Sequence, residues 1–158
     1  MIDFSCKLVD HGWIEVILTT ETDELKIEPS FLSDAPCSLI MALTSLLEGQ
    51  SEAVCEWQDE PGEYRWIFTR KKDSFELGIY YFKETFSRRE NKYGDRIFFD
   101  EEVSLKFARK VLREFGRIKR EYTASEYEDL WGYGFPQKEI DRLRMALKNA
   151  KAFDKNQK

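Results

Sequence analysis

From Glu52 to Phe82 the chain alternates with period two. Ala53, Cys55 and Trp57 change places with Glu52, Val54 and Glu56, and Tyr64, Trp66 and Phe68 with Arg65, Ile67 and Thr69. Successive side chains of a strand point to opposite faces, so this spacing builds half-buried strands and does not suit a helix of period 3.6. Asp59-Glu60-Pro61-Gly62 and Lys71-Lys72-Asp73-Ser74 are turn-forming runs, and Phe75, Leu77, Ile79 and Tyr81 resume the alternation after the second. A three-strand antiparallel meander is the expected result.

The flanking segments add to it. Phe4, Cys6 and Leu8, then Trp13 to Leu18, form a hairpin about Asp10-His11-Gly12. Leu25 and Ile27 stay extended until Pro29, whose missing N–H limits further pairing. Ser33 or Asp34 caps a helix that tolerates Pro36 in its first turn, sets Ile40, Leu43 and Leu47 on one face and stops at Gly49. Ser87 to Asp95 is charged and turn-rich and reads as a mobile loop before a short strand, Arg96 to Phe99. Asp100 is then the expected cap of a helix whose stripe is Val103, Phe107, Val111, Phe115 and Ile118, with Leu112 alongside. Ser125 opens a short helix, and Pro136 a last one with Ile140, Leu143 and Leu147 inward. The order implies an α+β fold with an antiparallel sheet. The N-terminal hairpin and the meander supply its strands, one helix is inserted between strands, and the C-terminal helices pack on it. The 158 residues suit a single α+β domain, residues 1–153, followed by a frayed tail, 154–158.

Charge is unevenly distributed. Residues 1–64 hold fourteen acidic side chains against Lys7 and Lys26, whereas Arg65 to Lys158 hold twenty-three basic against sixteen acidic, about −12 against +7. Such a split points to a charged partner. Glu52 and Glu56 lie opposite the Ala53-Cys55-Trp57 face, and Asp59, Glu60 and Glu63 continue the charge through the turn. These five carboxylates are expected to lie together in solvent, flanked by Glu21, Asp23, Glu24 and Glu28, as a face that steers a basic protein. The competing reading folds Arg65, Arg70 and the later lysines back to neutralise it.

Catalytic chemistry finds little footing. His11, the sole histidine, sits in a turn without a second ligand or a triad partner. Cys6, Cys37 and Cys55 are widely spaced and read as structural thiols in a reducing compartment. Gly132-Tyr133-Gly134 follows no strand and makes no phosphate loop. Neither a metal nor a cofactor is expected. Arg70, Lys71, Lys72, Arg88, Arg89 and Lys92, interleaved with Tyr80, Tyr81, Phe82, Phe86 and Tyr93, make segment 70–93 the alternative site, for single-stranded nucleic acid or a nucleoprotein. The acidity of the whole chain weighs against a polyanion. Trp131, Tyr133 and Phe135 have two readings, a plug in the core or a contact anchor. The chain opens on a strand pattern without a secretory leader, and no stretch reaches the length of a membrane span, so a cytoplasmic location is expected.

The run Ile14 to Glu84 resembles bacterial immunity proteins of contact-dependent growth-inhibition systems. The likeness rests on element order, on the helix ending Leu46-Leu47-Glu48-Gly49, on the Glu60-Pro61 turn, on Ile67-Phe68-Thr69 and on the Tyr80-Tyr81-Phe82 strand. It implies a small cytoplasmic inhibitor that binds and blocks a toxin, often a basic nuclease, and performs no reaction itself. The expectation is therefore a non-enzymatic protein-binding domain that meets its basic partner through Glu52, Glu56, Asp59, Glu60 and Glu63.

Overall fold

The computed structural model describes residues 1–156, apart from the side chains at 103 and 152–156. Strands β1 (Asp3–Asp10), β2 (Trp13–Thr19) and β3 (Glu24–Ile27) form one antiparallel sheet. Helix α1 (Ala35–Leu47) leads into β4 (Glu52–Asp59), β5 (Gly62–Arg70), β6 (Ser74–Phe82) and β7 (Asp95–Val103), which form a second sheet in that order. Helices α2 (Ser104–Glu121), α3 (Ala124–Trp131) and α4 (Gln137–Asn156) complete the α+β fold. Gln157 and Lys158, the end of the tail read as frayed, lie outside the described residues.

The N-terminal hairpin does not join the meander as a single sheet. After β3 the chain departs at Pro29, and Ser30 links the two ladders through the isolated Trp13–Ser30 bridge and its N–H bond to Gln58 O, 2.8 Å. A second correction concerns β7. Asp100 does not cap a helix but pairs with Leu77, as Glu102 pairs with Phe75, and α2 starts at Ser104. Acidic residues survive in this strand because Glu102, nearly buried, receives the Ile2 N–H at 2.8 Å and the Lys110 ammonium at 3.1 Å.

The core lies where the two sheets and the helices meet. On α2, Phe107, Val111, Phe115 and Ile118 are buried as the stripe requires, while the Val103 side chain lies outside the described residues. Phe107 reaches both sheets, with ring centroids 6.0 Å from Phe4, 5.5 Å from Phe75 and 6.4 Å from Phe68. The same helix closes the outer edge of β1. Glu114 accepts the Cys6 N–H at 3.0 Å and Arg117 donates to Cys6 O at 2.6 Å, so two side chains stand where a neighbouring strand would. The outer edge of β4 is closed by Ser30 and Ser33, the latter bonded to Gln58 N and Glu56 O.

The turn before β2 is fastened to α3. Gly12, at φ 77°, donates to Leu130 O and accepts from Phe31 N, and a Cβ there would meet the Phe31 ring at 2.6 Å. Trp131 is fully buried and Tyr133 bonds Phe31 O, so these two rings belong to the interior and its margin, in keeping with the core-plug reading. Thr123, with Glu126, forms a capping box that starts α3.

Asp34 performs the capping of α1. Its carboxylate accepts from Cys37 N and, across 97 residues of sequence, from Trp131 Nε1 at 3.0 Å. Burial raises its carboxyl above the ordinary range, against the opposing pull of those two donors. A folded-state value above the unfolded one means that protonated Asp34 favours folding, an advantage lost as pH rises through the folded value. Asn retains the capping oxygen without the charge. Asp34→Asn should therefore be more stable than the native chain at neutral pH, with the gain shrinking to nothing in acid, as read by denaturant melts across pH.

Candidate partner-binding face

Register fixes what the outer face of the second sheet displays. Glu52, Thr69, Glu76 and Glu101 lie in one row across the four strands. Val54, Ile67, Gly78 and Phe99 form the next row, and Glu56, Arg65, Tyr80 and Arg96 the third. Gln58, Glu63 and Phe82 belong to the fourth. The opposite face of the same strands carries Ala53, Cys55, Trp57, Trp66, Phe68, Leu77 and Ile79, all buried.

The fourth row is closed by the segment 83–94, which contains a 3-10 turn at Asn91–Tyr93. Glu63 is fully buried, and Arg65 grips it through Nε at 3.0 Å and Nη2 at 2.7 Å. The same guanidinium reaches Arg89 O at 2.7 Å, Asn91 Oδ1 at 2.9 Å and Ser87 O at 3.1 Å, and lies 4.1 Å from the centroid of the Phe82 ring. Gln58 completes the set by donating to Glu63 Oε1 and accepting from Phe86 N at 2.6 Å. That bond holds Phe86 at φ 50°, with its ring exposed. Thr85 ties the segment to the β4–β5 turn by accepting from Gly62 N and donating to Asp59 O. A segment read as mobile is thus fastened by a buried charge.

The first two rows remain open, whereas Arg65 of the third is buried under the same segment. Val54 is 43% and Phe99 50% exposed, with Ile67 half-buried between them. Gly78 leaves room for the Tyr80 ring, which would lie 2.9 Å from a Cβ at that position. Glu76 and Glu101 are direct cross-strand partners of like charge, a destabilising arrangement. Lys71 at 3.2 Å from Glu76 and the Ser74 hydroxyl at 2.6 Å from Glu101 offset part of it.

The five carboxylates expected to lie together divide into three groups. Glu52 and Glu56 stand largely exposed on the outer face, and partial burial and the nearby Glu63 raise the Glu56 carboxyl while Arg65, 3.6 Å away, lowers it. Asp59 and Glu60 are at the hairpin tip, where Asp59 accepts from the Tyr64 hydroxyl. Burial and Asp59 push that phenol above its ordinary range. Glu63 is no surface residue at all. Its burial by a segment twenty residues downstream corrects the expectation of a solvated side chain. Arg65 does fold back on Glu56 and Glu63, but Arg70 turns away to Leu46 O at the end of α1, and Glu52 and Glu60 have no ion-pair partner among the described residues. Glu21 and Asp23 approach β7, at the edge opposite β4, and so do not flank Glu52. Sequence reasoning missed Val54, Phe99, Glu76 and Glu101, since only register brings them together.

The alternative segment is less continuous than its sequence. Phe82 is buried beneath Arg65, Tyr80 and Tyr81 are half-buried, and Arg89 and Lys92 pair with Glu84 and Glu90. His11 is a turn residue whose Nδ1 lies 3.3 Å from Asp129 O. Cys6 and Cys55 are buried, with the Cys6 thiol pushed by burial to about 12. Cys37, expected to be buried, is only partly so, and its thiol is raised by desolvation to about 11. Among the described residues no helix is long and apolar enough to cross a membrane. Comparison with protein-family models, with curated proteins and with solved structures gives no match to this chain.

Removing one member of a buried pair leaves the other charge uncompensated, at a cost of about 3 to 5 kcal/mol. Arg65→Met should lose stability on that scale in urea melts. Arg65→Lys keeps the charge but not the planar fork, so a smaller loss should accompany faster proteolysis and amide exchange within 83–94. Unchanged exchange there would show that the guanidinium does not hold the segment.

Proposed function

We propose that this domain is a neutralising binding protein, an immunity protein that holds a basic toxin such as a nuclease against its carboxylate-bearing sheet face. It performs no reaction of its own and acts in the cytoplasm. The observation that carries the reading is the open apolar row Val54-Ile67-Phe99 beside the like-charged pair Glu76 and Glu101, with Glu52 in the same row. Opposed carboxylates lower the stability of the free sheet, and a cationic partner would relieve them. The exposed apolar groups give that partner a contact that water does not satisfy. Glu56 and the Asp59-Glu60 tip extend the negative rim, whereas Glu63 serves the fold. The resemblance of Ile14 to Glu84 to immunity proteins supports the same class.

Rim charges act mainly on encounter. Replacing Glu52, Glu56, Asp59 and Glu60 together by Lys should slow association with the native partner by roughly tenfold or more at low salt, with little change in dissociation. The fold should persist, because exposed carboxylates contribute little to stability. At ~1 M salt, where the Debye length is about 3 Å, the two proteins should associate at nearly equal rates. An unchanged rate at low salt would sink the reading. Micromolar binding to single-stranded DNA that weakens steeply with salt and is lost on changing Arg70, Lys71 and Lys72 to Glu would favour segment 70–93 instead.

A further inference from the structure

The four sheet edges are not treated alike. The edge of β1 is occupied by Glu114 and Arg117, that of β4 by Ser30 and Ser33, and β3 has only four residues. Capping and brevity are the usual protections against pairing with another chain. The outer edge of β7 has neither. The strand has nine residues, its register is regular from Phe98 to Val103 beyond an irregularity near Ile97, and its far end meets Ile2 through the Glu102 carboxylate. Phe98, Asp100 and Glu102 turn their backbone groups to β6, so those of Phe99 and Glu101 point outward; among the described residues no hydrogen bond from another segment reaches the backbone of these two, and Glu101 N is taken only by the adjacent Asp100 side chain.

Space lies beside this edge. A cleft of about 340 Å³ separates β7 from the turn between β2 and β3, with Met1, Glu21, Asp23, Phe98, Phe99 and Asp100 among its walls. We propose that this edge takes an extended, Lys- or Arg-bearing segment of the partner as an added antiparallel or parallel strand. The inference rests on the binding function proposed above and names the part of the partner that is held. The outward backbone groups of Phe99 and Glu101 supply the ladder; on one face the side chains of the incoming segment meet the half-exposed Phe99 ring and the Glu101 carboxylate, and the alternate ones meet the carboxylates of Glu21, Asp23 and Asp100. Those four acids select a basic strand and repel the β7 edge of a second copy, which bears the same charges. Phe99 also ends the apolar row of the open face, so the added strand would widen that face.

The test uses the whole protein with three short acetylated peptides: one alternating lysine and threonine, its glutamate counterpart, and the lysine peptide N-methylated at alternate amides. N-methylation removes ladder donors and keeps the charge. The lysine peptide should bind at low salt and slow amide exchange at Phe99 and Glu101. The methylated form should bind about tenfold more weakly, and the glutamate form should not bind. Asp23→Lys combined with Asp100→Lys should abolish the protection, while Glu52→Lys combined with Glu56→Lys should leave its position at β7. Equal binding of the methylated peptide, protection elsewhere, or no binding of the lysine peptide would overturn the proposal. Partner association slowed by reversal at Glu52 to Glu60 but indifferent to Asp100→Lys would remove the edge alone. Protection at β7 with partner association indifferent to reversal at Glu52 to Glu60 would support the edge and remove the face.

Discussion

Burying Glu63 and Arg65 takes two charges out of water, at an effective cost of several kcal/mol per ion, and the surrounding polar groups are arranged to offset it. The carboxylate is met by two guanidinium nitrogens and the Gln58 amide, and the remaining guanidinium donors go to Ser87, Arg89 and Asn91. An arginine can serve all of these because its donors are fixed in one plane, which a lysine cannot reproduce. Through this pair the course of 83–94, the position of Phe86 and the shape of the β4–β5 tip become one unit. What remains uncovered on the sheet is defined by where that unit ends.

The two faces of the large sheet therefore have different duties. The inner face is committed to packing: Trp57 and Trp66 lie with centroids 4.3 Å apart, and Phe68 and Phe75 close on Phe107. The outer rows of Glu52 and Val54 touch none of this.

The elements whose signals are local were readable from sequence. The meander follows from alternation, the buried stripe of α2 from its 3.6-residue spacing, and α1 from Asp34 and Pro36. The failures share a cause, dependence on residues distant in the chain. Asp100 resembles a helix cap, yet pairing with Leu77 keeps it in β7. Glu63 resembles a solvated turn acid, yet the alternation that made Glu52 and Glu56 outward also put Glu63 beneath a later segment. Glu52, Glu56 and Glu60 were legible as exposed acids, but Phe99 and Glu101 join their face only through the register of three successive strand pairs. The split of the hairpin from the meander hinges on Pro29 and a single bridge, which no period in the sequence records.

The closure of β1 by α2 has a consequence for synthesis. Cys6 waits for Glu114 and Arg117, 108 and 111 residues later, before both its amide and its carbonyl are satisfied on that side. At ~5 to 20 residues per second, the N-terminal strands would emerge from the ribosome with an open edge for roughly 5 to 20 s. During that interval the nascent chain, more than the finished domain, offers a template to stray strands. Its fourteen acids before Arg65, against two lysines, would add mutual repulsion between neighbouring nascent chains at that stage.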